Sequence, residues 1–330
     1  MRVQIGMRLV LIISILTMAC FAQAPAEQIA AGDAIRVHEF YRLAAQIQDQ
    51  LWPNWSQTPT PVLLVTPESE FLTHHPAPPQ DFKKIDNEFY VRPRKFSASF
   101  LATFPAFGPP SVIVVGEPKN TSSKTSTPWI ITLMHEHFHQ LQAAQPGYYR
   151  AVDALGLARG DNTGMWMLNY AFPYSKPEIA QGFLQLRVLL LTALNEKDEG
   201  KFRSLAKQYV EARKKFFAQL APDDHKYLSF QLWQEGIARH TEVMAAEAAA
   251  KYHPTAEYSA LADFEAFDTY APKPRENALN ELKQVDLAKS GRVAVYPFGA
   301  AEGFLLDRMN PGWKDNYFKQ MLTTDSYFEH

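Results

Sequence analysis

The feature that most constrains the fold of this chain is a pair of histidines, His135 and His139, separated by three residues. They follow Thr127 and Pro128, which are typical of a helix start because a hydroxyl can cap the first turn and proline fits the first helical position. The pattern predicts a helix from Thr127 to about Ala144. Side chains four positions apart differ by about 40° around a helix, so both imidazoles leave the same face. Two such rings can bind one zinc ion.

The residues between the two histidines have different expected roles. Glu136 lies on the flank of the metal-facing side, where a carboxylate can take a proton from a metal-bound water rather than bind the ion itself. His137 lies about 200° from His135 around the helix, so it points away and is expected to be structural. The segment therefore predicts a zinc site with Glu136 as its general base.

The regions on either side of this helix differ in pattern. A helix is predicted from Asp33, as its cap, to Leu51, and the chain after about residue 175 is predicted to be helical. Between them lie short β-rich runs, at residues 62–65, 88–91, 97–104 and 111–115. The later helices are expected near residues 178–195, 200–220, 224–251, 256–268, 275–289, 297–308 and 313–322. This order predicts an α+β fold with a small sheet and a mainly helical C-terminal half.

Composition excludes several classes of protein. The chain has 330 residues, of which 46% are hydrophobic and 21% are charged, so it is neither disordered nor fibrous. Its 33 basic and 35 acidic residues give a net charge of −2, and no basic excess is present to hold a polyanion. Nucleic acid is therefore excluded as an expected partner.

The first 22 residues have the order of charged, apolar and small residues that is typical of a secretory signal peptide. Arg2 and Arg8 precede an apolar stretch over residues 9–20, and Ala22 is the expected cleavage site. The stretch is too short for a stable membrane span. Cleavage would remove both arginines and Cys20, the only cysteine, and would change the net charge to −4. The mature chain is predicted to be periplasmic or secreted, and a lipoprotein anchored through Cys20 is the alternative.

The segment from His135 to His139 resembles the His-Glu-x-x-His signature of the zincin metallopeptidases. The glycine and third histidine of the metzincin branch do not follow it. A later segment, residues 233–239, resembles the Glu-Gly-x-Ala sequence with which gluzincins supply a glutamate ligand. The resemblance spans residues 90–310 approximately. It implies a zincin-like small mixed sheet with the histidine helix, Glu235 as the third zinc ligand, and an exported gluzincin-like protein of undefined substrate.

Residue chemistry supports Glu235 independently of the resemblance. A catalytic zinc site needs three protein ligands and one open position, and no cysteine remains after export. A carboxylate in a mostly apolar helix needs a reason to be there. Two alternatives stay open: the ligand is Glu302, which is also followed by glycine, or Glu235 is an exposed surface acid. With Glu235 as ligand, an α+β part over residues 23–175 supplies two ligands, and a helical part over residues 176–330 supplies the third.

The surroundings of the metal leave two further roles open. In thermolysin-like relatives an aspartate four residues after the glutamate ligand orients a zinc-bound histidine, but here that position holds Arg239. Glu242 could orient the histidine instead, or it could form a surface pair with Arg239. An oxyanion would need a hydrogen-bond donor, for which the candidates are Tyr296, His240 and Arg239. Tyr296 is preferred because it precedes a helix start of small residues, although a core tyrosine is the alternative.

These observations predict an exported zinc-dependent metallopeptidase with one zinc per chain, bound by His135, His139 and Glu235. Glu136 would assist the attack of zinc-bound water on a peptide bond. A peptide or protein substrate is expected to pair with an edge strand of the sheet, at residues 97–104 or 111–115. The alternatives are a non-catalytic exported domain that binds zinc or peptides, and a hydrolase of amides other than peptides.

Overall fold

The computed structural model of the chain describes residues 28–329. The predicted signal peptide and the predicted start of the mature chain at residue 23 lie outside the described residues. Within them the chain forms a mixed six-stranded sheet and a mostly helical C-terminal half, which confirms the α+β prediction. None of the helices described for these residues is both long enough and apolar enough to cross a membrane.

The strands and helices follow one another in the predicted order. The strands are β1 (Val62–Val65), β2 (Ser69–Thr73), β3 (Lys83–Lys84), β4 (Phe89–Pro93), β5 (Leu101–Phe104) and β6 (Val112–Gly116). The first helices are α1 (Ala31–Leu51), α2 (Ser126–Ala143), α3 (Tyr148–Ala154) and α4 (Trp166–Asn169). The later helices are α5 (Pro177–Asn195), α6 (Glu199–Ala218), α7 (Pro222–Gln231), α8 (Ile237–Ala248), α9 (Ala256–Ser259), α10 (Phe267–Tyr270), α11 (Lys273–Gln284), α12 (Leu287–Ser290), α13 (Val295–Met309) and α14 (Lys314–Tyr317). A π-helical turn, Leu232–Gly236, connects α7 to α8.

The sheet has the strand order β3-β4-β2-β1-β6-β5. β1 and β6 are parallel, whereas every other neighbouring pair is antiparallel. Among residues 28–329, β5 pairs only with β6, so the strand within residues 97–104 is an edge strand, as expected. The expectation that residues 111–115 form an edge is wrong, because β6 pairs with β1 on one side and with β5 on the other.

The sequence pattern does not predict β2 or β3. All five residues of β2 are buried, but polar side chains interrupt its apolar pattern. Glu70 is stable inside this strand because Nε of Arg92, on β4, donates to its Oε2 at 2.7 Å. β3 consists of two exposed lysines, which carry no strand signal. Pairing between strands, rather than local sequence, therefore determines both elements.

The predicted cap of α1 is wrong, although its predicted end at Leu51 is correct. α1 begins at Ala31, so Asp33 lies within the first turn. There its Oδ1 pairs with Nη1 of Arg36 at 2.9 Å. An acid inside the first turn still interacts favourably with the helix dipole, so Asp33 marks the region of the helix start without capping it.

The predicted cap of α2 is also wrong. The helix begins at Ser126, one residue before Thr127. The Thr127 hydroxyl donates to the backbone oxygen of Glu265 and lies 3.2 Å from the hydroxyl of Tyr258. A tertiary contact with the helical half therefore takes the hydroxyl that the sequence pattern assigns to a cap.

The main hydrophobic core combines both parts of the chain. One face of the central strands packs against α1 and α2, and the same cluster continues into the helical half. Buried members from successive elements are Val62, Ile113, Phe138, Trp233 and Leu305. Because α2 lies between the sheet and α8, its side chains can face both.

Most helices predicted after residue 175 are present, but some are shorter than predicted. The predictions that hold are residues 178–195 for α5, 200–220 for α6, 224–251 for α7 to α8, and 297–308 for α13. The continuous helix predicted over residues 256–268 is wrong, because only α9 and the start of α10 are helical there. Asp263, between them, accepts hydrogen bonds from Arg36 and Ser126 and ties this segment to α1 and α2. The helix predicted over residues 275–289 is interrupted and forms α11 and α12 instead. Of the helix predicted over residues 313–322, only α14 is helical.

Candidate metal centre

Three possible ligand atoms meet where α2 faces the π-helical turn. Nε2 of His135 and Nε2 of His139 are 3.1 Å apart. Oε2 of Glu235 lies 3.3 Å from Nε2 of His139 and 3.8 Å from Nε2 of His135. Tetrahedral ligands of zinc lie about 3.4 Å from one another when each is about 2.0–2.1 Å from the ion. The three side chains therefore have the spacing that one small metal ion requires.

Gln142 determines the orientation of His139. Its Oε1 lies 2.7 Å from Nδ1 of His139, and its Nε2 donates to the backbone oxygens of Trp233 and Gln234, each at 3.1 Å. The amide group therefore presents its oxygen, not its nitrogen, to the imidazole. Sequence-based reasoning missed Gln142, although its position three residues after His139 puts both side chains on the same helix face.

The π-helical turn explains why Gln142 finds acceptors there. A π turn displaces backbone carbonyl groups from the regular helical pattern, and such turns are frequent at functional sites. Besides Gln142, the Tyr317 hydroxyl donates to the backbone oxygen of Trp233. Glu235 lies between the residues whose backbone oxygens accept these hydrogen bonds and the end of the π-helical turn. The hydrogen bonds therefore join α2 to this turn directly beside the ligand atoms.

The tautomers of both histidines leave lone pairs that face each other. Nδ1 of His139 faces an acceptor, Oε1 of Gln142, so this nitrogen carries the proton. Nδ1 of His135 lies 3.2 Å from Oε2 of Glu242, whose negative charge favours a proton on this nitrogen. Neutral rings then direct two Nε2 lone pairs and one Glu235 oxygen at the same point. These groups repel one another unless a cation, a proton or a metal ion, lies between them.

Glu242 lies in the buried surroundings of the centre. It accepts a hydrogen bond from Nη1 of Arg239 and faces Nδ1 of His135, although the angle at this nitrogen is poor for a hydrogen bond. Burial raises the pKa of Glu242, but Arg239 and His135 outweigh burial and lower the pKa to about 2. Glu242 therefore carries its charge at neutral pH. It pairs with Arg239, as one alternative predicts, but it does so next to the histidine rather than on the surface.

The electrostatics of the ligands favour a positive charge among them. Burial opposes the ionisation of Glu235, but His139 and His135 hold the pKa of this carboxyl well below its ordinary value. Burial also disfavours a charged His135, yet the carboxylates of Glu235 and Glu242 raise the pKa of His135 to about 10. The carboxylates that bind a proton so strongly would also stabilise a metal ion.

Glu136 lies beside the ligand group rather than within it. Its Oε2 accepts a hydrogen bond from Oγ1 of Thr103 at 2.7 Å, and Thr103 lies on the edge strand β5. Glu136 is only 6% exposed, so this contact is largely shielded from water. Sequence-based reasoning missed Thr103 because no local pattern links it to a residue 33 positions later.

Tyr296 and Arg292 lie next to His135 and Glu235. The Tyr296 ring stacks on His135, with the ring centroids 6.3 Å apart. Burial and the charge of Glu235 raise the pKa of Tyr296, so its hydroxyl keeps its proton at neutral pH. Arg292, which the sequence analysis does not identify, lies over the Tyr296 ring and places Nη1 3.6 Å from Oε1 of Glu235. Tyr296 is therefore close to the ligands.

The remaining candidate residues have other partners. Glu302 accepts a hydrogen bond from Nε of Arg213 at 2.6 Å and another from the Tyr209 hydroxyl. Nε2 of His240 lies 2.6 Å from Oδ2 of Asp307, and the ring is completely buried. Among residues 28–329, neither Glu302 nor His240 belongs to a group that could bind a metal.

His137 points away from the ligand group, as predicted. Its ring nitrogens lie 2.9 Å from side-chain oxygens of Gln140 and Gln48, and its ring stacks on Trp55. Burial lowers the pKa of His137 to about 4, so the ring is neutral at physiological pH. These contacts join α2 to α1 and explain a structural role.

Replacing Gln142 should weaken metal binding without removing a ligand. We expect Gln142→Ala to lower zinc affinity by about 10–100-fold, the usual effect of losing the group that orients a metal-binding histidine. Competition with a fluorescent zinc chelator measures this affinity. Gln145→Ala is the matched control, since among the described residues the Gln145 side chain bonds only to the backbone oxygen of Leu141 in α2. An equal effect of both changes would contradict the orienting role.

The π-helical turn also packs closely against α13 through two glycines. A Cβ atom added to Gly299 would lie 2.4 Å from Cα of Gly236, and one added to Gly236 would lie 2.7 Å from Cα of Gly299. The small residues at positions 299–301 predict this close approach. It holds the turn that carries Glu235 against the helix that carries Tyr296.

Gly299→Ala should therefore disturb both stability and the metal centre. The added methyl group meets backbone atoms that must move apart, so we expect the free energy of unfolding to fall by about 1–3 kcal/mol. Zinc affinity should fall as well, because the displaced turn carries Glu235. Gly312→Ala is the control, since its added Cβ atom would meet nothing closer than 4.0 Å. Urea unfolding and a zinc titration test both expectations, and an unchanged zinc affinity in Gly299→Ala would contradict the second.

Comparison of the chain with protein-family models, with curated proteins and with solved structures gives no match.

Proposed function

We propose that this protein is an exported zinc-dependent metallopeptidase of the zincin type, related to the gluzincins. The proposal rests on one observation: two imidazole nitrogens and one carboxylate oxygen, from His135, His139 and Glu235, lie close together, with Glu136 beside them. Export is supported by the arginines and the apolar stretch that precede Ala22. The expected stoichiometry is one zinc per chain.

Zinc fits this donor set better than other common ions. Two imidazoles and one carboxylate, with a fourth position open, are a common set in catalytic zinc sites, whereas calcium and magnesium prefer sites made only of oxygen. Both imidazoles also have an oxygen next to Nδ1, where zinc-binding histidines usually donate: Gln142 bonds to His139, and the Glu242 carboxylate lies 3.2 Å from His135. When bound, zinc would lower the pKa of a water molecule and polarise a carbonyl oxygen.

The proton transfers are assigned to Glu136. Thr103 donates to Oε2 of its carboxylate, which leaves Oε1 to accept a proton from the attacking water. The same oxygen would then deliver that proton to the leaving amine. Because Glu136 is almost fully buried, few waters compete for this proton.

The position of β5 supports a peptide as substrate. In the part of the chain that the structure describes, β5 pairs with β6 on one side only, so its other side can accept an extended peptide by backbone pairing. The hydrogen bond from Thr103 to Glu136 joins this strand to the proposed base. A peptide bound along β5 would therefore pass next to Glu136.

The position of Glu242 weakens the case for a non-catalytic domain. That alternative draws on Arg239, which occupies the position where thermolysin-like relatives have an orienting aspartate. In this chain Glu242 brings a carboxylate to Nδ1 of His135 instead. The arginine is therefore compatible with a catalytic centre.

Hydrolysis of peptide bonds by the zinc-loaded protein tests the proposed function. The mature chain, residues 23–330, is incubated with a denatured protein, and mass spectrometry identifies any new chain ends. We expect fragments that disappear when a chelator removes the metal and return when zinc is added. Zinc binding without fragments would favour the non-catalytic alternative, and fragments that persist in chelator would contradict a metallopeptidase.

Tyr296→Phe should slow the reaction at constant zinc content. A hydroxyl close to the ligands can donate to the oxygen on which negative charge develops, and loss of one such donor typically lowers kcat by about 10²–10³. KM should change little, because the contact strengthens only in the transition state. Steady-state kinetics measures both constants. An unchanged kcat would mean that Tyr296 is only a core residue, and Arg292 would then be the candidate donor.

A further inference from the structure

Arg292 lies at the metal centre with most of its hydrogen-bonding capacity unused. Its Nη1 donates to Oε1 of Gln231 at 3.3 Å and lies 3.6 Å from Oε1 of Glu235. A guanidinium group has five N–H donors. Within residues 28–329, only Nη1 donates to a protein acceptor at good hydrogen-bond geometry, although the Tyr296 hydroxyl also lies close enough to interact with the guanidinium. The side chain is 21% exposed, so part of it is open to solvent.

Once a divalent ion is bound, the charged groups around Arg292 have a net positive charge that an anion can balance. The two oxygens of Glu235 are divided, with Oε2 facing the imidazoles and Oε1 facing Arg292. Arg239 and Glu242 neutralise each other. A divalent ion and Arg292 would then carry three positive charges opposite the two carboxylates of Glu235 and Glu136. The difference is one positive charge, which a substrate carboxylate would balance.

We propose that Arg292 binds a carboxylate group of the substrate, so that the site prefers peptides with a free carboxylate next to the bond that is cleaved. The planar guanidinium matches a carboxylate with two parallel hydrogen bonds, which gives geometric selection as well as attraction. The C-terminal carboxylate of a peptide and an acidic side chain both offer this chemistry. This inference rests on the proposed peptidase function, since it concerns the substrate of the same centre.

Exposed apolar side chains near Arg292 guide the choice of probe peptide. Val293, the next residue, is 61% exposed. Gln231, which accepts from Arg292, also donates from Nε2 to the backbone oxygen of Met167, and the neighbouring Leu168 is 48% exposed. A leucine next to the carboxylate could contact this apolar surface. The probes are therefore N-acetyl-Ala-Ala-Ala-Leu as the free acid, the same peptide as its amide, and an amidated peptide in which Asp replaces the third alanine.

Binding of the three peptides tests the proposal. Titration calorimetry uses zinc-loaded Glu136→Gln protein, so that the peptides are not cleaved during the measurement. We expect the free acid, or the Asp peptide if the side chain is the source, to bind about 10–100-fold more tightly than the plain amide, as expected for a charge-assisted contact. Arg292→Gln should remove this preference, and Arg292→Lys should keep part of it because the charge remains.

Lys289→Gln is the matched control. It removes one positive charge three residues before Arg292, but Lys289 is 84% exposed and pairs with Asp286. The preference for a carboxylate should survive this change. Equal binding of all three peptides, or a preference for a carboxylate that persists in Arg292→Gln, would overturn the proposal. Zinc content is measured in each variant. If an Arg292 variant loses zinc together with the preference for a carboxylate, the role of Arg292 is to hold Glu235 in place instead.

Failure of this inference can be distinguished from failure of the proposed function. If wild-type protein cleaves the plain amide as fast as both the free acid and the Asp peptide, the peptidase function stands and the role of Arg292 is wrong. If the Glu136→Gln protein prefers the free acid but wild type cleaves none of the peptides, the carboxylate site stands and the peptidase function is wrong.

Discussion

Glu136→Gln should abolish peptide hydrolysis while the protein keeps its zinc. The substitution keeps the size of the side chain and its hydrogen bond with Thr103, but an amide cannot accept the proton of the attacking water. Because Glu136 is proposed both to accept that proton and to deliver it to the amine, kcat should fall by about 10³–10⁴. Zinc content should stay at one per chain, since Glu136 lies outside the ligand group.

The matched control for this change is Glu276→Gln. Glu276 is exposed on α11, so the substitution removes the same charge away from the centre. Stopped assays with a fluorogenic peptide and metal analysis of the same samples give both quantities. Full activity in Glu136→Gln would contradict the proposed mechanism, whereas loss of zinc in this variant would make Glu136 a ligand.

Glu235→Ala should weaken zinc binding more than any change of an orienting group. It would remove one of the three proposed ligands and leave two imidazoles, which rarely suffice for a stable site. Affinity should therefore fall by more than the 10–100-fold that is typical for loss of an orienting partner. A competition titration against a chelator of known affinity measures the difference. Arg292 also loses its carboxylate partner in this variant, so the free energy of unfolding is measured in parallel.

Glu302→Ala distinguishes the two candidate glutamates. Glu302 pairs with Arg213, which is almost completely buried. Removal of one member of a buried ion pair typically costs about 3–5 kcal/mol, so this variant should be less stable than wild type. Its zinc affinity, measured well below its unfolding temperature, should be unchanged. Loss of zinc in Glu302→Ala but not in Glu235→Ala would reverse the ligand assignment.

Local sequence was sufficient for the two histidines because their geometry depends only on the helix period. A spacing of four residues directs His135 and His139 to one side of α2 and directs His137 away from it. Glu235 was predicted from a short segment resemblance and from the cost of burying a carboxylate. Its approach to the histidines depends on the packing of the π-helical turn against α2, which no local pattern describes.

The groups that surround the ligands could not be predicted in the same way. Thr103 reaches Glu136 because β5 runs along α2, and Arg292 reaches Glu235 because α13 packs on the π-helical turn. Arg292 itself lies in the short helical turn over residues 291–294 that leads into α13. Both contacts depend on the arrangement of distant elements. Gln142 is different, since its spacing from His139 was visible in the sequence, and a search for polar residues three or four positions from each histidine would have found it.

The errors in secondary structure have the same origin. Thr127 has the properties of a helix cap, but a backbone oxygen of the helical half takes its hydroxyl. β2 contains a charged residue, Glu70, that local pattern reading excludes from a buried strand, and Arg92 on another strand makes it acceptable. In each case a tertiary partner outweighs a local preference that is worth only about 1 kcal/mol.

The central claim is that His135, His139 and Glu235 bind one zinc ion. Diffraction from crystals grown with zinc, measured above and below the zinc absorption edge, tests it most directly. The expected result is one strong anomalous peak per chain, within bonding distance of Nε2 of both histidines and of the Glu235 carboxylate. A peak bound by other residues, or no peak at this position in crystals saturated with zinc, would contradict the account.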